Sequence, residues 1–250
     1  MPAFSGSTAI FAEIFTLMRK LFFKMVDFWS HDRSFSVVLG LLFIVIFLLT
    51  PLKSLEVPFA HIALEFFLTI LLISGVFAIS QRRIIRYPAV VFGLVTFVIK
   101  WFNAINYDQD LTRLDLMLSM IFFFGLLIVI LRRVLGEGKI NVTRIEGAIA
   151  AYLIIAILFT YAYRIIYSYI PHAFTFNFSS ESLRVDEIAD HFLYFSFITL
   201  TTTGYGDITA LHPFARSFSM LEGLIGQLYP AILIARLVSM EIEARKSASK

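Results

Sequence analysis

Ile198 to Asp207 reads Ile-Thr-Leu-Thr-Thr-Thr-Gly-Tyr-Gly-Asp, and no other stretch of the chain combines residue types that suggest a chemical site. Gly204 and Gly206 alternate with other residues, so the backbone can enter conformations closed to residues with a β-carbon. Successive carbonyls can then turn to one side, and rings of such oxygens can replace the water around an ion. The chemistry is coordination. No bond is made or broken, and no catalytic group is expected.

The elements that must hold this strand are set by composition. Of 250 residues, 59% are hydrophobic and only 16% charged, far too apolar for a soluble domain. The chain reads as an all-α, polytopic membrane protein. Inside a bilayer, backbone that is neither helix nor barrel survives only where it is enclosed in protein or lines a water-filled path. Ile198–Asp207 fits that exception. The absence of cysteine excludes disulfides, iron–sulfur clusters and thiolate metal sites. The net charge of +3 is small, and no basic run with interleaved aromatics suggests nucleic acid.

Six apolar segments follow Phe35, near 35–52, 57–80, 87–105, 114–135, 145–170 and 214–240. Each is close to the roughly 20 residues needed to cross the hydrocarbon core as a helix. Val185–Leu200, between the fifth and sixth, is too short to cross and runs straight into the glycine-broken strand, so it is expected to be a re-entrant helix. Ala9–Val26 has helical apolar periodicity with Arg19, Lys20 and Lys24 among it, which suits an interfacial helix or one packed on the cytoplasmic face of the assembly. With the N-terminus inside, fifteen of the 21 Lys and Arg residues fall on the cytoplasmic side. Both termini are therefore expected in the cytoplasm, in a multi-pass cell (inner) membrane protein. No signal peptide is expected, since the first long apolar run begins only near Phe35.

The run Thr199, Thr201, Thr202, Thr203, Gly204, Tyr205, Gly206 and Asp207 resembles the signature of the potassium-channel pore-domain family, Thr-x-Thr-Thr-Val-Gly-Tyr-Gly-Asp, with Thr203 in place of the commonest valine. The matched portion runs from about Ile145 to Met240. The resemblance implies a selectivity filter, Thr202, Thr203, Gly204, Tyr205 and Gly206, with potassium held by oxygens of Thr202, Thr203, Gly204 and Tyr205. The Thr203 hydroxyl is expected behind the filter. Tyr194 and Phe195 fall where the family has aromatics packed around the filter, and Tyr194 is expected to donate to Asp207. Thr199 is placed with the supporting residues. In the sixth segment, Gly226 falls at the family's hinge and Gln227 faces the cavity. Gly223 and Gly226 permit either bending or close helix packing, Pro230 is expected to kink the helix, and a gate is expected near Ile234, Val238 and Ile242. Glu222, close to the filter, is either protonated and hydrogen-bonded behind it or part of the permeation electrostatics; the structural role is favoured.

One filter strand per chain cannot close a ring, so a homotetramer is expected. Its organisation would be an N-terminal cytoplasmic or interfacial helix (1–34), four sensor-like helices (35–136), a pore domain (137–242) and a short tail (243–250). Voltage sensing needs charges that cross the field, each worth about 2.3 kcal/mol per 100 mV. Leu114–Leu131 contains Asp115 and no Lys or Arg, so these four helices are not expected to be a conventional voltage sensor. Glu65, one turn after His61, is a regulatory candidate or the structural partner of Lys100 or Arg113. Membrane lipids, potassium and a separate regulatory subunit are the partners considered, and no cofactor beyond permeant ions. Gly136-Glu137-Gly138-Lys139 lacks the spacing of a phosphate loop, and His172, His191 and His212 match no metal motif. The Asn177-Phe178-Ser179 sequon reads as unused. Two rival classes stay open, a non-conducting membrane sensor or accessory subunit and a secondary transporter.

Overall fold

The computed structural model describes residues 34–54, 91–96, 98–102, 109–136, 141–177 and 185–248. Ala9–Val26, the second apolar segment with His61 and Glu65, and Glu137-Gly138-Lys139 lie outside the described residues. The described elements are helix α1 (Ser34–Phe43), a π-helical stretch (Ile44–Leu49), α2 (Thr50–Ser54), α3 (Gln109–Val134), α4 (Val142–Tyr169), β1 (Phe174–Phe176), α5 (Val185–Leu200), β2 (Ile208–Ala210) and α6 (Pro213–Ala248). Residues 91–96 and 98–102 are also helical. Four helical spans among them are long and apolar enough to cross a membrane: Phe35–Leu52, Gln109–Val134, Val142–Tyr169 and Pro213–Ile242.

Local chemistry sets several boundaries. Pro51 has no N–H, and its ring crowds the carbonyl four residues back. The turn before it widens: the Thr50 N–H reaches the Val45 carbonyl, and the Thr50 hydroxyl donates to the same oxygen at 3.0 Å, a π-type relief of that crowding. Helix α4 starts at Asn141, whose side chain accepts the Arg144 N–H at 3.0 Å, satisfying one of the orphan donors of the first turn. Arg144 also donates to the Gly136 carbonyl at 2.8 Å, tying the end of α3 to the start of α4. Helix α6 runs through Pro230 and past Met240 to Ala248, so the segment expected as a short tail begins as helix. Arg245 and Glu241 pair at 2.9 Å, one turn apart, which supports that extension.

Helix α4 is the hub: α1, α3, α5 and α6 all pack on it. In lipid there is little hydrophobic drive between helices, and close backbone approach through small residues supplies the van der Waals contact instead. Ala148, Ala150, Ala151, Ala156 and Ala162 on α4 are buried accordingly. A β-carbon at Gly147 would come within 3.0 Å of Val134 and 3.5 Å of Phe35, so glycine there lets α1, α3 and α4 meet. Of the spanning window of α4, 67% is buried within the chain, against 11% for α6.

The polar residues of the peripheral helices find local partners. Lys100 lies 3.8 Å from Asp115, which is buried and also accepts from Ser119 at 3.3 Å. Arg113 pairs with Asp110 at 3.3 Å, donates to the Ser168 carbonyl at 3.0 Å and lies over the Tyr169 ring. The sequence suggested Glu65 as the partner of Lys100 or Arg113. Glu65 lies outside the described residues, and the contact of Lys100 with Asp115 is one that the sequence did not assign.

Candidate functional site

Helix α5 delivers the chain to the glycine-broken strand. The Thr201 N–H still bonds to Phe197 at 3.0 Å, after which Thr202 N–H turns back to Thr199 at 3.0 Å, and the Thr203 and Gly204 N–H groups both reach the Ile198 carbonyl, at 2.8 and 3.1 Å. In a trans peptide, N–H and the preceding C=O point opposite ways, and the chain has no cis bond among the described residues. With three N–H groups aimed at α5, the carbonyls of Thr201, Thr202 and Thr203 face away from it. Thr202, Gly204 and Gly206 have φ of +58°, +54° and +79°, whereas Thr203 and Tyr205 do not have positive φ. Alternating φ of this kind turns successive N–H groups to one side. Nothing lies within 4 Å of a β-carbon placed on Gly204 or Gly206, so glycine is needed there for conformation rather than for space. Thr202 has a branched β-carbon in the left-handed region, a strain of about 1–3 kcal/mol of the kind stored at functional sites.

Side chains behind the strand are bonded into α5. Thr201 donates to the Phe197 carbonyl at 2.7 Å. Its single hydrogen is thus used, and the Thr203 hydroxyl, 3.0 Å away, donates to it. The Thr203 hydroxyl therefore sits behind the carbonyl row. Thr199 spends its hydroxyl on the Phe195 carbonyl at 2.7 Å and supports the strand through its own carbonyl, the acceptor for Thr202. Gly206, the last residue of the strand expected as a filter, also has a partner within the protein. Its carbonyl accepts the Asn177 side-chain amide at 2.9 Å, so that oxygen is held by the protein.

The outer end of the strand is held on two sides. Tyr194 donates to Asp207 at 2.7 Å, and the other Asp207 carboxylate oxygen accepts the Ile208 N–H at 3.0 Å. Strands β1 and β2 pair antiparallel, Phe174 with Ala210 and Phe176 with Ile208, and the Asn177 N–H continues the ladder to the Asp207 carbonyl at 2.8 Å. Phe195, the second aromatic, is packed on its own chain. It is buried against Tyr163 and Phe174, ring centroids 5.0 and 5.7 Å away, in an aromatic cluster that also contains Phe192.

Helix α6 reaches the site through Glu222 and Gly226. Glu222 is fully buried. One of its carboxyl oxygens accepts from the Tyr163 hydroxyl of α4, and the other lies 2.5 Å from Ser196 Oγ of α5. Ser196 Oγ is also 2.7 Å from the Ala156 carbonyl, so one carboxyl ties three helices together behind the strand. A β-carbon at Gly226 would overlap the Leu200 carbonyl, 2.7 Å from its carbon. A β-carbon at Gly223 would meet only the Thr199 oxygen, at an ordinary 3.9 Å. Of the two packing or hinge glycines, Gly226 is the one that sets the crossing of α5 and α6. Gln227, Ile234, Val238 and Ile242 are exposed on the single chain, on a helix continuous through Pro230.

Asn177, Ser196, Tyr163 and Leu200 were not singled out by sequence. Ser196 and Tyr163 are ordinary residues of apolar helices, and only the fold reveals the buried acid between them. Asn177 did carry a signal, but one that pointed to a surface sequon.

Residues 147–243 match the family model described as "Ion channel", an assignment to a channel and not to an enzyme. The chain is also similar to "Two pore potassium channel c" of Oryza sativa subsp. japonica, 40% identical over 70 residues. That match covers 28% of this chain and only 15% of the rice protein. No solved structure matches.

Proposed function

We propose that the chain forms a homotetrameric, potassium-selective pore, a reading supported by the match of residues 147–243 to the ion-channel family model and by the similarity to a potassium channel. Thr202, Thr203, Gly204 and Tyr205 contribute the coordinating oxygens. The observation that carries this reading is the strand itself: three N–H groups are tied to α5, the carbonyls of Thr201, Thr202 and Thr203 are turned away from it, and the sign of φ alternates onward to Gly206. Oxygens fixed in a row can replace an ion's hydration shell without reorganising. Helix α5 ends at the same place, and the negative end of its dipole favours a cation there.

Closing the ring takes four strands. The small share of α6 buried within its own chain, with Met220, Leu224 and Leu228 left exposed, fits a helix whose partners are other copies. In this reading six helices per chain cross the cell membrane and both termini are cytoplasmic. Gln227 faces the cavity, and the gate lies near Ile234 on α6 below Pro230.

Purified full-length protein in planar bilayers, with potassium on one side and sodium on the other, is expected to give unitary currents reversing near the potassium equilibrium potential. A pore reversing near zero would overturn selectivity, and saturable coupled uptake without unitary events would indicate a transporter. Silence in both assays would leave the non-conducting sensor. The spanning part of α3 lacks Lys and Arg over Leu114–Leu131, and one charge moved across the field is worth about 2.3 kcal/mol per 100 mV. Open probability is therefore expected to change less than about tenfold over 100 mV, and a steeper conductance–voltage curve would refute the gating class.

A further inference from the structure

We propose that Asn177 is a positioning residue for the outer end of the filter, holding the Gly206 carbonyl to the β1–β2 hairpin and thereby prolonging the conducting state when external potassium is scarce. Two contacts place it. Its side-chain amide donates to Gly206 at 2.9 Å, and its backbone N–H donates to Asp207 at 2.8 Å. The second contact is available to any residue but proline, and it sets the register. The first belongs to the side chain alone.

The need for such a residue follows from the backbone. Gly206 has φ of +79° and nothing within 4 Å of its missing side chain, so it has no side-chain packing to help fix its peptide plane. The inner strand is tied at Thr202, Thr203 and Gly204 to carbonyls of α5. Tyr194 holds the Asp207 side chain and leaves the preceding carbonyl untouched. If the Gly206 oxygen rotates, the Asp207 N–H turns with it, and the oxygen row is disturbed at its outer end. The hairpin is a firm anchor for Asn177: Phe174 is buried in the aromatic cluster, and the Ala173 carbonyl accepts both the Leu211 and His212 N–H groups, at 2.9 and 3.2 Å. The same amide nitrogen is the one a glycan would occupy in the Asn177-Phe178-Ser179 sequon, which gives a physical reason for the sequon to stay bare.

An ion at the outer site steadies the carbonyls from within, so the side-chain bond matters most when that site is empty. The experiment is single-channel recording of full-length Asn177→Leu, similar in shape but without a donor, and of Asn177→Asp, which keeps the shape and loses the N–H. Both are expected to shorten open bursts about two- to tenfold in low external potassium, the range of one net hydrogen bond. High external potassium should restore the wild-type burst length. Unchanged bursts in low potassium, or equal shortening at both concentrations, would overturn the proposal. If neither variant assembles, the Asn177 side-chain amide resonance of the wild-type protein in liposomes decides. A shift between low and high potassium supports the role, and invariance rejects it. The proposal rests on the pore reading above, and the two fail separately: a wild-type protein that carries no potassium current sinks that reading, whereas conducting variants with normal bursts sink only this one.

Discussion

Gly226→Ala is expected to abolish potassium flux, and Gly223→Ala, one helical turn earlier, to leave it within about twofold of wild type. The added methyl at 226 would overlap the Leu200 carbonyl, whereas the one at 223 meets Thr199 in ordinary contact. What is struck at 226 is backbone, which cannot swing aside as a side chain would. Leu200 is the last residue of α5, two residues before the first strained residue of the filter. Moving it would disturb the carbonyls of Ile198 and Thr199, which hold the three filter N–H groups. Overpacking usually costs about 1–3 kcal/mol, and this backbone clash lies at or above the upper end. Flux from proteoliposomes, read beside the fraction of assembled oligomer, checks both halves. Equal behaviour of the two variants would show that helix crossing at Gly226 is not what fixes the filter.

Glu222→Leu is expected to cost about 1–3 kcal/mol, since it leaves the buried Tyr163 hydroxyl without its acceptor while Ser196 keeps the Ala156 carbonyl. Glu222→Gln is expected to stay near wild type in stability, conductance and pH response. The hydrogens around residue 222 decide between the two. Tyr163 spends its own on Glu222. Ser196 has one hydrogen and two oxygen neighbours, Ala156 and Glu222. All the contacts close only if the residue at 222 can donate as well as accept, which a glutamine amide does. Thermal melting of the assembled protein, with flux at several pH values, separates the two substitutions. A glutamine variant that conducts with an altered pH response would move Glu222 from scaffold to regulation.

Much of this arrangement could be read from residue order. Val185 to Leu200 is too short to cross a membrane, and those are the bounds of α5. The two glycines announced a strand needing left-handed backbone, and Tyr194 and Asp207, thirteen residues apart, are joined as the resemblance implied. Contacts between helices distant in the chain were harder to read. Apolar periodicity says which face of a helix is covered, not by what, so the overlap of Gly226 with Leu200 could not be foreseen. Nor could the pairing of Lys100 with Asp115, because a membrane carboxylate needs a cation but its sequence does not say which. The third positive φ falls on Thr202, where residue type argues against it; bonding of its neighbours to α5 overrides local preference.

Pro230 gives α6 one further property. In an unbroken helix the N–H at 230 would serve the carbonyl of Gly226, and proline has none to give. The residue pressed hardest against α5 thus also carries an oxygen whose usual intrahelical donor is missing. A solvent molecule is the natural substitute wherever one can reach it. A missing hydrogen at 230 thus leaves an acceptor without its ordinary donor four residues away, where α6 crosses α5.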